Sequence, residues 1–139
     1  KLSAMKPFYY DNKWKTEEAF IKLLEKLDQI EWWFKNGDRD ATFFAVPYIE
    51  NDEQKPVDFI VKFKDGKIGL FDTKSGNTIK DAREKSDGLQ EYIKKHKNIS
   101  GGIVANTNSK DFSGRWMCYK GQGTELNPDD FSNWELLEI

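Results

Sequence analysis

Residues 56–76, PVDFIVKFKDGKIGLFDTKSG, constrain what this chain can become more than any other stretch. Asp65-Gly66 stands between two apolar runs. An Asp-Gly pair in that setting is the strongest short-range signal for a tight antiparallel hairpin, because the turn needs positive φ and Gly takes it freely. The spacing predicts strands over Val57–Phe63 and Lys67–Lys74. The second is nearly all apolar until its end, which suits a central strand covered on both faces. Covering layers must therefore come from the rest of the chain.

The flanking patterns supply them. Phe20, Ile21, Leu24 and Leu27 form one stripe at helical spacing, so a helix is expected over Thr16–Asp28, with Thr16 as N-cap. Glu17 and Glu18 fall in its first turn, where negative charge suits the helix dipole. The aromatic run Ile30–Lys35 reads as a strand. A turn at Asn36-Gly37, with Asp38, Arg39 and Asp40, follows it, then a strand over Ala41–Ile49. Pro47 suits an edge or a bulge there. Asn51–Lys55 reads as a polar loop and Ser75–Thr78 as another. A second helix is expected over Ile79–Lys95, and short strands over Gly102–Asn106 and Arg115–Tyr119. The tail, Trp134–Ile139, is amphipathic and acidic. The fold class is α/β in the broad sense, an α+β mixed sheet with helices packed against it.

The length, 139 residues, suits one compact domain over 1–139. The chain starts with Lys1, so a fragment of a longer protein is expected. Aromatics at 14% supply the burial that disordered chains lack. With Cys118 the single cysteine, no internal disulfide can form, which fits a reducing compartment. No apolar run reaches membrane-spanning length, so no membrane partner is expected. The net charge of −2 lacks the basic excess of a free-standing DNA binder.

The hairpin also carries chemistry. In a tight antiparallel pair the start of one strand lies beside the end of the next, so Asp58 falls near Asp72 and Lys74. A side-chain period of two puts Asp72 and Lys74 on one face and Thr73 on the other. Two carboxylates and an ammonium thus meet at one end. Hard cations such as Mg2+ prefer oxygen ligands and leave sites for phosphate and water. A bound ion polarises a phosphate, and a nearby Lys offsets charge on its oxygens. Blander readings stand beside this one. Asp58 can cap a loop, and Asp72 with Lys74 can be an ordinary ion pair. Even so, a charge ending a buried strand needs a partner or a metal.

Asp, a hairpin, then (Asp/Glu)-x-Lys resembles the PD-(D/E)xK nuclease superfamily. WWFKNGDRD, FFAVPYIE, PVDFIVKFKDGKIGLFDTKSG and LQEYI together resemble, more closely, the C-terminal endonuclease domain of the restriction subunit of type III restriction–modification enzymes. The resemblance runs from about Glu17 to the Trp134 region. It implies a restriction-endonuclease-like core and Mg2+-dependent cleavage of double-stranded DNA, with Mn2+ as a substitute. It also implies a helicase-like ATPase domain upstream in the same chain, which alone uses ATP, and a separate modification (methyltransferase) subunit. A double-strand break implies cooperation of two nuclease copies, and the setting is the bacterial cytoplasm.

Carried across residue by residue, the resemblance makes Asp58 the first metal ligand, Asp72 the second and Lys74 the catalytic lysine. The Pro usual before the first Asp is displaced: Val57 stands there, and Pro56 one place earlier. Family members often add a helix carboxylate. Glu17 shares the core-facing stripe and is preferred to Glu18, which has Lys22 at +4 and faces solvent. Acidic residues are common in a first helical turn for dipole reasons alone, so Glu17 has a structural reading too. Gln90 resembles a glutamine that follows the motif and touches metal-bound water or DNA. Lys35 and Arg39 are candidates for phosphate contacts, with a solvated charged face as the alternative. Trp32, Trp33 and Phe34 suit core packing better than base stacking.

Overall fold

The computed structural model describes residues 2–3, 15–36, 47–50 and 53–137. The turn residues after Asn36, Arg39 among them, and most of the expected strand Ala41–Ile49 lie outside the described residues.

Seven strands form one mixed sheet in the order β1-β2-β5-β6-β7-β8-β9. They are β1 (Leu2–Ser3), β2 (Ile30–Lys35), β5 (Phe59–Phe63), β6 (Ile68–Thr73), β7 (Ile99–Asn106), β8 (Trp116–Tyr119) and β9 (Glu135–Leu136). Two more, β3 (Pro47–Glu50) and β4 (Glu53–Pro56), pair with each other in a separate antiparallel ribbon. The apolar strand of the hairpin, β6, is the middle one. It runs antiparallel to β5 and parallel to β7. Parallel neighbours need a long crossover, and α2 (Arg83–Lys94) provides it.

The two faces of the sheet have different covers. On one, α1 (Lys15–Lys26) lays Phe20 and Leu24 against Trp33, Phe59, Phe71 and Val104. The Phe20 ring meets Phe59, Phe71 and Trp116 edge to face at 5.1, 5.8 and 5.3 Å between centroids. On the other, Leu89 of α2 packs with Val57, Ile60 and Leu70. The alternation along β5 and β6 sends Phe59, Val61 and Phe71 toward α1, and Ile60 and Leu70 toward α2.

Several boundaries moved for local reasons. α1 begins at Lys15, so Thr16 lies inside it rather than capping it. The expected helix from Ile79 starts at Arg83, because residues Gly76–Ile79 form a 3₁₀ turn held by Thr78 Oγ1, which donates to Ser75 O at 2.6 Å. The polar stretch expected as a loop contains β4, whose backbone pairs with β3 regardless of side-chain polarity. β7 starts earlier than expected, at Ile99. There Gly101 has φ +129°, and a Cβ would stand 1.9 Å from Leu70 O, so only glycine lets β7 close on β6. The acidic tail supplies the edge strand β9. Among the described residues, no helix is long and apolar enough to cross a membrane.

Candidate functional site

Phe59 pairs with Phe71 across β5 and β6, and one step further the register sets Asp58 opposite Asp72. Their backbones and carboxylates interlock. The Asp58 N–H donates to Asp72 Oδ1 at 2.8 Å, and the Thr73 N–H donates to Asp58 Oδ2 at 3.0 Å. The expected meeting of the two acids at the open end of the hairpin is therefore present. So is the shared face of Asp72 and Lys74, since both adjoin Lys85 of α2.

Asp72 is completely buried, whereas Asp58 is half-buried. Two carboxylates facing each other across a ladder repel. The Asp58 carboxyl is accordingly pushed well above the usual carboxylate range, first by burial, then by the charges of Asp72 and Glu17. Lys85 and the Thr73 N–H pull it back in part. The Lys74 ammonium is pushed below its ordinary value, first by burial and then by the positive charge of Lys85, against the pull of Asp72 and Asp58. Lysines depressed in this way give up a proton more readily and can handle protons in a reaction.

Glu17 comes from α1 and acts on Asp58 through its field. Its carboxylate forms an ion pair with Lys35, Oε2 to Nζ 2.8 Å. Lys35 is thus placed differently from expectation. It is 2% exposed, and its ammonium also donates to Asn36 O at 3.1 Å, so it is not displayed to phosphates. The cause is a bulge in β2, where the register shifts between Ile30 and Trp32. One extra residue reverses the parity, and Trp33 and Lys35 turn inward under α1. Trp33 joins the core and donates from Nε1 to Glu25 Oε1 at 3.1 Å. Gln90 is buried, and its Nε2 donates to Gly101 O at 3.0 Å, tying α2 to β7.

Two residues escaped the sequence reading. Lys85 stands 3.7 Å from Asp72 Oδ2. Leu89 and Ile93 lie at +4 and +8 from it and pack toward the sheet, so its place on the inner stripe of α2 was readable. Asn36 was taken for a turn residue. It is buried, its N–H donates to Asp58 O at 2.9 Å, and its Nδ2 donates to Val57 O. Both bonds fix the backbone that presents Asp58.

The donors suit a hard divalent cation in kind: two opposed carboxylates whose mutual repulsion such an ion would relieve. Among the described residues, no three Asp, Glu, His or Cys side chains stand together as a complete ligand set. The set is therefore Asp58 and Asp72, with Glu17 held by Lys35. One or two carboxylates are what Mg2+ commonly takes when phosphate and water supply the rest. The large cavity of about 1080 Å3 lies elsewhere, at the turn end of the hairpin among Phe63, Lys64, Phe71 and Gly101, and contains none of these charged groups.

A model of the YagJ family matches residues 3–118, most of the chain and all of the charged cluster. The chain belongs to the YagJ family. No curated protein and no solved structure matches it. The YagJ-family match carries no chemistry in its name, so a functional reading rests on the geometry of the cluster.

Proposed function

We propose that this YagJ-family domain is a Mg2+-dependent endonuclease acting on double-stranded DNA, built on a restriction-endonuclease-like core of the PD-(D/E)xK superfamily. The observation that carries this is Asp58 facing Asp72 across the hairpin, with two lysines, Lys74 and Lys85, at the same end. Within this reading Asp58 and Asp72 hold the ion, and Mn2+ substitutes for it. The bound ion supplies Lewis-acid polarisation of the scissile phosphate. Lys74 orients the attacking water and offsets charge on the phosphate oxygens. The water oxygen bonds to phosphorus, one P–O ester bond breaks, and the leaving oxygen takes up a proton.

The wider setting follows from the sequence resemblance. The domain serves as the cleavage module of an ATP-dependent type III restriction enzyme in the bacterial cytoplasm, beside a helicase-like ATPase domain and a modification methyltransferase. Two nuclease copies cooperate to break both strands. A nuclease of DNA repair or of mobile elements is the variant of this reading with other partners. The test is cleavage of duplex DNA with Mg2+ and ATP by the protein that carries the domain, with Asp72→Asn or Lys74→Ala introduced. Loss of cleavage supports the proposal, and unchanged cleavage overturns it.

A second reading is a non-catalytic DNA- or protein-binding module on the same fold. It is favoured by the internal engagement of Asp72, which bonds the Asp58 N–H and pairs with Lys85 without any ion. The net charge of −2 also limits DNA affinity.

A further inference from the structure

We infer that Lys85 exchanges between two partners: its ammonium holds the place of a divalent cation on Asp72, and it ligates the substrate phosphate once a cation has taken that carboxylate. This inference rests on the metal-dependent reading above and assigns the site a second phosphate ligand, supplied by the helix rather than the hairpin.

The argument is one of charge placement. Asp58 and Asp72 oppose each other across β5 and β6. Lys74 and Lys85 adjoin each other from β6 and α2. Each like-charged couple is unfavourable by itself. The acidic couple suits a divalent cation, and the basic couple suits phosphate oxygens. Without either ligand, pairing between the couples neutralises the charge, and the Lys85–Asp72 contact is that pairing.

Position and reach support the exchange. Asp72 is fully buried, while the Lys85 side chain is 20% exposed, so the ammonium stands between a buried carboxylate and solvent. A separation of 3.7 Å is longer than a charge-assisted hydrogen bond of roughly 2.7–2.9 Å, so the contact is loose enough for an arriving cation to displace. Leu89 and Ile93 anchor α2 on the sheet, which fixes the Lys85 backbone. Its flexible four-carbon stem leaves the ammonium free to swing from carboxylate to phosphate. Charge is conserved through the exchange: the cation enters, the ammonium leaves Asp72, and the phosphate anion receives it.

The experiment compares wild type, Lys85→Met and Lys85→Arg, each checked for folding by circular dichroism. Mn2+ affinity is measured by calorimetry, and the relaxation of inorganic phosphate by protein-bound Mn2+ is measured by 31P NMR. Lys85→Met should bind Mn2+ about three- to tenfold tighter than wild type, the scale of removing one competing ammonium. It should also lose the phosphate signal, whereas Lys85→Arg keeps both properties near wild type. A packing role would not produce tighter metal binding together with weaker phosphate binding. If Lys85→Met matches wild type in both measurements, the inference is overturned while the metal site stands. If wild type itself binds no Mn2+, the metal-dependent reading fails and takes this one with it. Should the Met variant not fold, Lys85→Gln serves for the same two measurements.

Discussion

The β5–β6 hairpin has two ends built on opposite principles. At the turn end, Asp65 and Gly66 close the strands with ordinary turn chemistry: Asp65 Oδ1 accepts from the Lys67 N–H at 2.9 Å, and Gly66 adopts φ +95°. At the open end the same two strands bring Asp58 and Asp72 face to face, one of them fully buried, where cross-strand pairing favours unlike charges or apolar groups. Between the ends lies the aromatic packing of Phe20, Phe59 and Phe71. A strand pair selected for stability alone would end as it begins. The contrast shows where the molecule accepts electrostatic strain, and that place is where a bound cation would relieve it.

The contrast can be broken or sharpened at graded cost. Phe59→Ala, in the shared middle, should destabilise the domain by about 3–5 kcal/mol in urea unfolding, because the ring is fully buried between α1 and the sheet. A loss below about 1 kcal/mol would show that α1 does not lock the hairpin. Next in size is Asp72→Asn, which keeps an acceptor for the Asp58 N–H and removes the charge. Cleavage of duplex DNA should fall about 100-fold or more, the scale of losing a key electrostatic group, while circular dichroism stays unchanged. Gly66→Ala should cost about 1–2 kcal/mol through backbone strain alone and leave metal binding untouched.

At the open end the sign reverses. Asp58→Asn should stabilise the metal-free domain by about 1 kcal/mol near pH 8, since it removes a like-charge cross-strand pair. The pH trend follows from linkage. The Asp58 pKa is raised in the folded state, so the folded state binds that proton more tightly than the unfolded one. Its contribution is fully present below the unfolded value of about 4 and is lost as pH rises through the raised folded value. Wild-type melting should show that decline, and Asp58→Asn should not. The smallest effect concerns Cys118, on the face shared with α1. Its thiol is 1% exposed, and burial, opposed by Lys120 and reinforced by Glu135, pushes it up to about 12. Ellman's reagent at pH 8 should leave the folded protein unlabelled and react once it is unfolded.

Much of this was legible in the sequence, for identifiable reasons. The Asp65-Gly66 turn fixed the register of β5 on β6, and register alone places Asp58 opposite Asp72. The continuous apolar run of β6 marked the middle strand of the sheet. The bulge in β2 was not legible, because no composition signal marks Glu31 as the extra residue, and it reversed the orientation expected for Lys35. Lys85 was overlooked because its meaning depends on α2 crossing directly behind Asp72, a tertiary fact. Gln90 lies on the inner side of α2, yet only the structure shows its amide bonded to the β7 backbone.

The claim beneath all of this is that Asp58 and Asp72 jointly hold a divalent cation. Calorimetric titration of the domain with Mn2+ tests it most directly, using wild type beside Asp58→Ala. The account predicts saturable binding to wild type and none to the variant. Absence of binding to wild type, or equal binding to both proteins, would contradict it.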